Sequence, residues 1–148
     1  MEYQKDVLKV NRNLDLLAPK LKTIVLDCLL VCEEIGYPAR VFEGYRSPER
    51  QNYLYSLGRS IPGKIVTKRK AWGSWHQLGL AVDIAFYHNN EWTWDGPWEK
   101  TAEIFTQHGL QWLYPFEKAH FQLTGGLKIK EAAQIYTSKG PAALWSRI

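Results

Sequence analysis

Apolar residues recur at three- and four-residue steps through Leu21, Ile24, Val25, Cys28, Leu29 and Cys32, the period of one helical face. Pro19 suits the first turn of that helix, and Gly36 offers a left-handed stop before Tyr37-Pro38 breaks the pattern. Residues 39–45 place β-formers at intervals and predict a strand. Ser47 as N-cap and Pro48 in the first helical position then open a second helix, which ends at Gly58. Beyond a loop holding Pro62-Gly63, residues 80–86 read as a buried strand, joined through an Asn89-Asn90 turn to a neighbour at 92–94. Helices over 97–108 and 128–138 flank two short strands at 110–114 and 120–123. The pattern is α+β: a small, mainly antiparallel sheet packed with helices, without the regular strand–helix alternation of a doubly wound fold. No Gly-x-Gly-x-x-Gly follows a strand and no Gly-x4-Gly-Lys-Ser/Thr occurs, which argues against nucleotide-binding loops.

Composition narrows the picture. A chain of 148 residues, 45% apolar and 14% aromatic, fits one globular domain over 1–148. Its apolar stretch at 23–32 is interrupted by Asp27 and falls short of the ~20 residues that cross a bilayer. The start, Met1 to Asp6, lacks the basic and apolar regions of a signal peptide, so synthesis in the cytoplasm without an integral membrane segment is expected. The net charge of +4 could draw nucleic acid, anionic membranes or an acidic wall polymer, and does not choose among them. The basic run Lys64, Lys68, Arg69 and Lys70 reads as a solvated loop, and no nucleic-acid recognition motif accompanies it. Cys28 and Cys32 share one helical face and read as buried thiols, which excludes a disulfide scaffold and a four-thiolate zinc site.

Histidine and carboxylate remain as metal ligands, and they gather in two windows, 74–83 and 117–120. Two imidazoles and one carboxylate would give Zn2+ three protein ligands and leave a position for water, a catalytic count rather than a structural one. Glu117, three residues before His120, would then be available as a proton carrier. His76 and Asp83 are seven apart and would face opposite ways on one strand, so His76 belongs in the preceding loop. The separation of Glu117 and His120 likewise requires a bend. Spacing alone leaves the ligand set open.

The run Glu43-Gly44-Tyr45-Arg46-Ser47-Pro48-Glu49-Arg50-Gln51, the stretch from Gly58 to Thr67, and Ser74-x-His76-x2-Gly79-x-Ala81-x-Asp83 together resemble the LAS group of zinc peptidases. That group includes L-alanyl-D-glutamate endopeptidases of phages and bacilli and D-alanyl-D-alanine carboxypeptidases. The likeness runs from about Leu17 to the C-terminal helix and implies a hedgehog/D-Ala-D-Ala-peptidase-like fold. Carried over residue by residue, it implies that His76, Asp83 and His120 bind Zn2+ and that Glu117 is the catalytic acid and base. It also implies that Arg46 binds a substrate carbonyl and its developing oxyanion, with Gln51 and Ser74 as polar substrate-binding neighbours. Glu at 117 is more like the carboxypeptidase branch, whereas the 58–67 stretch resembles the endopeptidases and favours them.

The expected function is therefore zinc-dependent hydrolysis of the peptidoglycan peptide stem at L-alanyl-D-glutamate, by a monomeric phage endolysin or related autolysin acting on the wall after release. The rivals are a D-alanyl-D-alanine carboxypeptidase and a non-catalytic, zinc-stabilised wall-binding module. His88 reads as a turn residue and His108 as a cation at a helix C-terminus, neither a ligand. Glu43 either orients Arg46 or a ligand, or sits on a solvated face. Trp92, Trp94 and Trp98 are expected in core and hairpin packing, while Trp72 and Trp75, near His76, are equally placed for the cleft or the core.

Overall fold

The computed structural model describes residues 5–148. The reading of the first six residues therefore lies mostly outside the described residues. A helical turn, α1 (Lys5–Leu8), precedes α2 (Pro19–Glu34), whose buried face is Leu21, Val25, Cys28 and Cys32, as the periodicity requires. Strand β1 (Ala39–Glu43) leads into α3 (Pro48–Ser56), where Ser47 Oγ accepts a hydrogen bond from Arg50 N at 3.1 Å. Then follow β2 (Ala81–His88), β3 (Glu91–Thr93), α4 (Trp98–Gln107), β4 (Gln111–Trp112), β5 (His120–Gln122), α5 (Ile129–Lys139) and α6 (Pro141–Trp145). The α+β expectation holds: all pairings within the five-stranded sheet are antiparallel, in the order β1-β2-β5-β4, and β3 pairs with the far end of β2.

Residue alternation on the strands divides the sheet into two different faces. Ala39 and Val41 oppose Phe86 and Ile84, and Phe121 opposes Val82; all six are buried on the side covered by α2 and α4. Phe121 meets Phe105 of α4 at 4.7 Å between ring centroids, and Phe86 meets Trp98 at 4.8 Å. The other face carries Asp83 opposite His120 and Ala81 opposite Gln122. A register shift between Val41 and Glu43 makes Phe42 the extra residue of a bulge, so that Glu43 rather than Phe42 pairs with Asp83. Four polar residues, Glu43, Asp83, His120 and Gln122, thus share one sheet face.

A 3-10 turn at Trp75–Leu78 lies over that polar face and was not foreseen; residue 76 was expected in a plain loop. Ser74 caps the turn, accepting from His76 N at 3.3 Å, and Gly79 closes it at φ +69°. A Cβ at Gly79 would stand 3.0 Å from the Trp145 ring and 3.1 Å from Leu16 O, so this close crossing needs glycine. Helix α6, also unforeseen, braces the turn: Trp145 Nε1 donates to Leu78 O at 2.7 Å. The strand expected over 110–114 shortens to Gln111–Trp112, because the chain turns at Tyr114-Pro115 and proline has no N–H for a ladder.

Candidate metal centre

Asp83 from β2, His120 from β5 and His76 from the 3-10 turn converge, with one donor atom from each lying within 4.8 Å of the others. His76 Nε2 is 3.3 Å from Asp83 Oδ1, and His120 Nδ1 is 3.7 Å from the same oxygen. The two imidazoles cross nearly perpendicular, 82° at 5.0 Å between centroids. Parity on β2 is respected because His76 reaches the site from the turn rather than along the strand.

The outer partners decide which nitrogen of each ring is free. His76 Nδ1 is 2.8 Å from Gly44 O; a carbonyl only accepts, so the proton sits on Nδ1 and the lone pair on Nε2 points at Asp83. His120 Nε2 lies 2.7 Å from Gln122 Oε1, whose orientation follows because Gln122 Nε2 donates to Gln111 Oε1 at 3.0 Å. His120 therefore donates from Nε2 and keeps its lone pair on Nδ1. Among the described residues, that Nδ1 is buried without a hydrogen-bond partner. A buried, unpartnered lone pair is costly, and a cation beside Asp83 Oδ1 would satisfy it. The donor set thus fits a divalent ion bound through Nε2 of one ring, Nδ1 of the other and one carboxylate oxygen.

The second oxygen of Asp83 is taken: Arg46 Nη2 donates to Oδ2 at 3.2 Å. Burial would raise the Asp83 pKa, but His76, Arg46 and His120 outweigh it and hold the carboxyl well below its usual range. Burial and then the Arg46 charge push His76 down. Burial also opposes protonation of His120, yet the Glu117 and Asp83 carboxylates raise it. Glu117 Oε2 stands 3.2 Å from His120 Nδ1, off the line a ring N–H would need, and its side chain is 46% exposed. The turn that delivers it is closed by Glu117 N donating to Leu113 O and His120 N to Glu117 O, the bend that the three-residue spacing demanded. Proximity to His120, against the effect of burial, keeps Glu117 below the ordinary carboxylate value and hence ionised at neutral pH.

Arg46 is held from several sides. Nη2 also donates to Glu43 Oε1 at 2.7 Å and Nη1 to Gln51 Oε1 at 3.0 Å, while Nε is buried with no partner among the described residues. Glu43, 3% exposed, binds Arg50 Nε through its other oxygen at 2.5 Å, which settles its role as orienting Arg46 rather than facing solvent. Gln51 is 0% exposed; it also accepts from Gln77 Nε2 at 3.1 Å and donates to Arg69 O at 2.6 Å. Gln51 and Ser74, expected to bind substrate, are both buried behind the cleft wall. Both are enclosed because the buried Arg46 and the 3-10 turn take up their hydrogen-bonding groups.

Above His76, Asp83 and His120 opens a cleft of about 400 Å3, walled by Phe42, Leu54, Val66, Trp94, Glu117 and Lys118 among others. The tryptophan expectations are partly reversed. Trp75 is core, Trp72 packs against Tyr136, and half-exposed Trp94 stands at the cleft, held edge-on by Phe42. Trp98 is buried as foreseen. His108 caps α4 through Ile104 O, and His88 ends β2 in the exposed hairpin, so neither approaches the centre. Arg50, Gln77 and Gln122 escaped the sequence reading. Only Gln122 carried a usable signal, two positions from His120 on a strand and hence on the same face.

Comparison with known proteins agrees with this geometry. Residues 67–123 match a family model described as D-alanyl-D-alanine carboxypeptidase. The chain is 32% identical over 88 residues to the peptidoglycan L-alanyl-D-glutamate endopeptidase CwlK of Bacillus subtilis, an alignment covering 52% of this chain and 53% of that protein. The chain thus spans about half the length of this curated relative. The crystal structure of the Serratia marcescens L-Ala D-Glu endopeptidase ChiX superposes with a TM-score of 0.56 at 25% identity, covering 78% of this chain and 89% of that one. The LdcB LD-carboxypeptidase shares the fold, with a TM-score of 0.57 at 19% identity over 99% of this chain and 72% of that one.

Proposed function

From its kinship with the LAS-type peptidases, carried by motifs, family match and fold together, we propose that this chain is a zinc-dependent peptidoglycan peptidase cutting the L-alanyl-D-glutamate bond. The observation that carries the reading is the convergence of three ligand lone pairs, both imidazole tautomers already set, beside a carboxylate held at the cleft by a turn. The choice of bond is supported by CwlK and ChiX, both L-alanyl-D-glutamate endopeptidases. The reading takes residues 1–148 as one catalytic domain, monomeric, made in the cytoplasm and acting on the wall after release, as a phage endolysin or a related autolysin.

His76, Asp83 and His120 hold Zn2+, which when bound polarises a carbonyl and lowers the pKa of a coordinated water toward about 7. Glu117, ionised at neutral pH, takes the proton of the attacking water and delivers it to the departing amine. Arg46 fixes Asp83 and places positive charge beside the developing oxyanion. Three of its five N–H groups are committed and a fourth, on Nε, is buried, so a single Nη1 proton is left for a substrate oxygen. Glu43, Gln51 and Ser74 position these groups without meeting substrate.

Replacing Glu117 with Gln is expected to leave zinc content at the parent level and to abolish release of muropeptide fragments from purified sacculi. Digestion at the parent rate would overturn the assignment. A second reading, cleavage of a terminal D-alanyl-D-alanine, is favoured by the description of the matching family model and by glutamate at 117. Mass spectrometry separates the two, since free D-alanine marks the carboxypeptidase and a new N-terminal D-glutamate marks the endopeptidase. A purely structural zinc module has no use for an ionised carboxylate at an open cleft.

A further inference from the structure

Cations lining the cleft are not equally available. Arg46 has no free pair of N–H groups to grip a carboxylate, because its two terminal nitrogens already serve Glu43, Asp83 and Gln51. Arg50 is 7% exposed, with Nε on Glu43 and Nη1 on Val7 O at 2.9 Å. Lys118 differs: it is exposed, it lines the cleft beside Glu117, and among the described residues it forms no ion pair. It is nevertheless held in place. Trp112 Nε1 donates to Lys118 O at 2.7 Å, and the ammonium sits 5.7 Å from the Trp98 ring centroid.

We propose that Lys118 is a specificity-determining residue that recognises a substrate carboxylate on the carbon bearing the departing amine. The inference rests on the peptidase reading above. Glu117 delivers a proton to the leaving nitrogen, and Lys118 follows it on the same turn and lines the same cleft, so a swing of its long side chain away from the Trp98 ring brings the ammonium to the leaving-group side. In an L-alanyl-D-glutamate bond the carbon attached to that nitrogen carries a free carboxylate. Converting that carboxylate to a carboxamide removes the charge while barely changing its size, so the enzyme discriminates between the two electrostatically.

The test compares two acylated tripeptides, L-Ala-D-Glu-L-Lys and its D-isoglutamine counterpart, both linked through the side-chain carboxyl, with zinc-loaded protein. The parent should favour the carboxylate by about tenfold in kcat/KM, chiefly through KM, with a smaller ratio at high salt. Lys118→Gln should bring the ratio close to one, Lys118→Arg should retain most of it, and Lys130→Gln, which removes an equal charge elsewhere, should keep it. Titration of both peptides into Glu117→Gln protein, with and without Lys118→Gln, should show the same pattern in affinity without turnover. A parent ratio near one, or a ratio that survives Lys118→Gln, overturns the inference while leaving the peptidase reading intact. Failure of the parent to cleave either peptide overturns both.

Discussion

Glu43→Gln tests the architecture beneath the metal centre, because the replacement keeps the shape and removes one charge. The Glu43 side chain is 4% exposed and joins two guanidinium groups that are 10% and 8% exposed, through bonds of 2.7 Å to Arg46 and 2.5 Å to Arg50. A glutamine can accept from only one of them and turns an N–H toward the other. One charge-assisted bond is lost, worth about 1.5–3 kcal/mol; Arg46 keeps Asp83 as a carboxylate partner, while buried Arg50 is left with the Val7 carbonyl. Removing one partner from such a buried network costs about 3–5 kcal/mol. For a chain of this size that corresponds to a melting temperature lower by about 10 °C at pH 7. The pH dependence has a definite sign. Burial works against ionisation of Glu43, but Arg46 and Arg50 hold its pKa below the ordinary value. Its contribution is therefore fully present above an unfolded carboxylate pKa of about 4.3 and is lost as pH falls through the lower folded value. Thermal melts of parent and variant across pH 3–8, with exposed Glu49→Gln as a control, should show a gap that is widest at neutral pH and narrows in acid. A variant melting within about 1 °C of the parent at pH 7, or a gap that widens in acid, would refute the account.

Two further outcomes follow from the same structure. Gln122→Leu removes the acceptor that sets the His120 tautomer and should weaken zinc binding about 10- to 100-fold, read by competition with a chromogenic chelator; unchanged affinity would mean that Gln122 does not orient the ring. Burial, with small additions from Cys32 and Asp27, pushes the Cys28 thiol up to about 12, so almost no thiolate exists at pH 8. Both free cysteines should resist a disulfide reagent in the native protein and react together after denaturation, and rapid native labelling would show that α2 opens locally.

Much was legible before any fold was drawn, because local chemistry wrote it down. The 3.6-residue period of Leu21 to Cys32 specified α2, and Ser47-Pro48 specified the start of α3. Residue parity then required His76 to leave the strand of Asp83 and the chain to bend between Glu117 and His120, and both are observed. Helix α6 and the 3-10 turn were missed because they are short and owe their place to contacts such as Trp145 on Leu78 O rather than to a repeating pattern. The burial of Gln51 and Ser74 was not legible for a related reason, since residue type gives polarity but not the direction in which a side chain is buried.

Residue identity by itself supplied the chemical set: two imidazoles, an aspartate, a glutamate and an arginine, with the secondary structure that carries most of them. Tertiary structure alone decided how these groups are used. The bulge at Phe42 brings Glu43 opposite Asp83, Gly44 and Gln122 choose the protonated nitrogen of each histidine, and buried partners absorb Arg46 while Lys118 forms no ion pair among the described residues. Those outcomes depend on hydrogen bonds between residues distant along the chain or across a strand register, and no local spacing encodes where such partners meet.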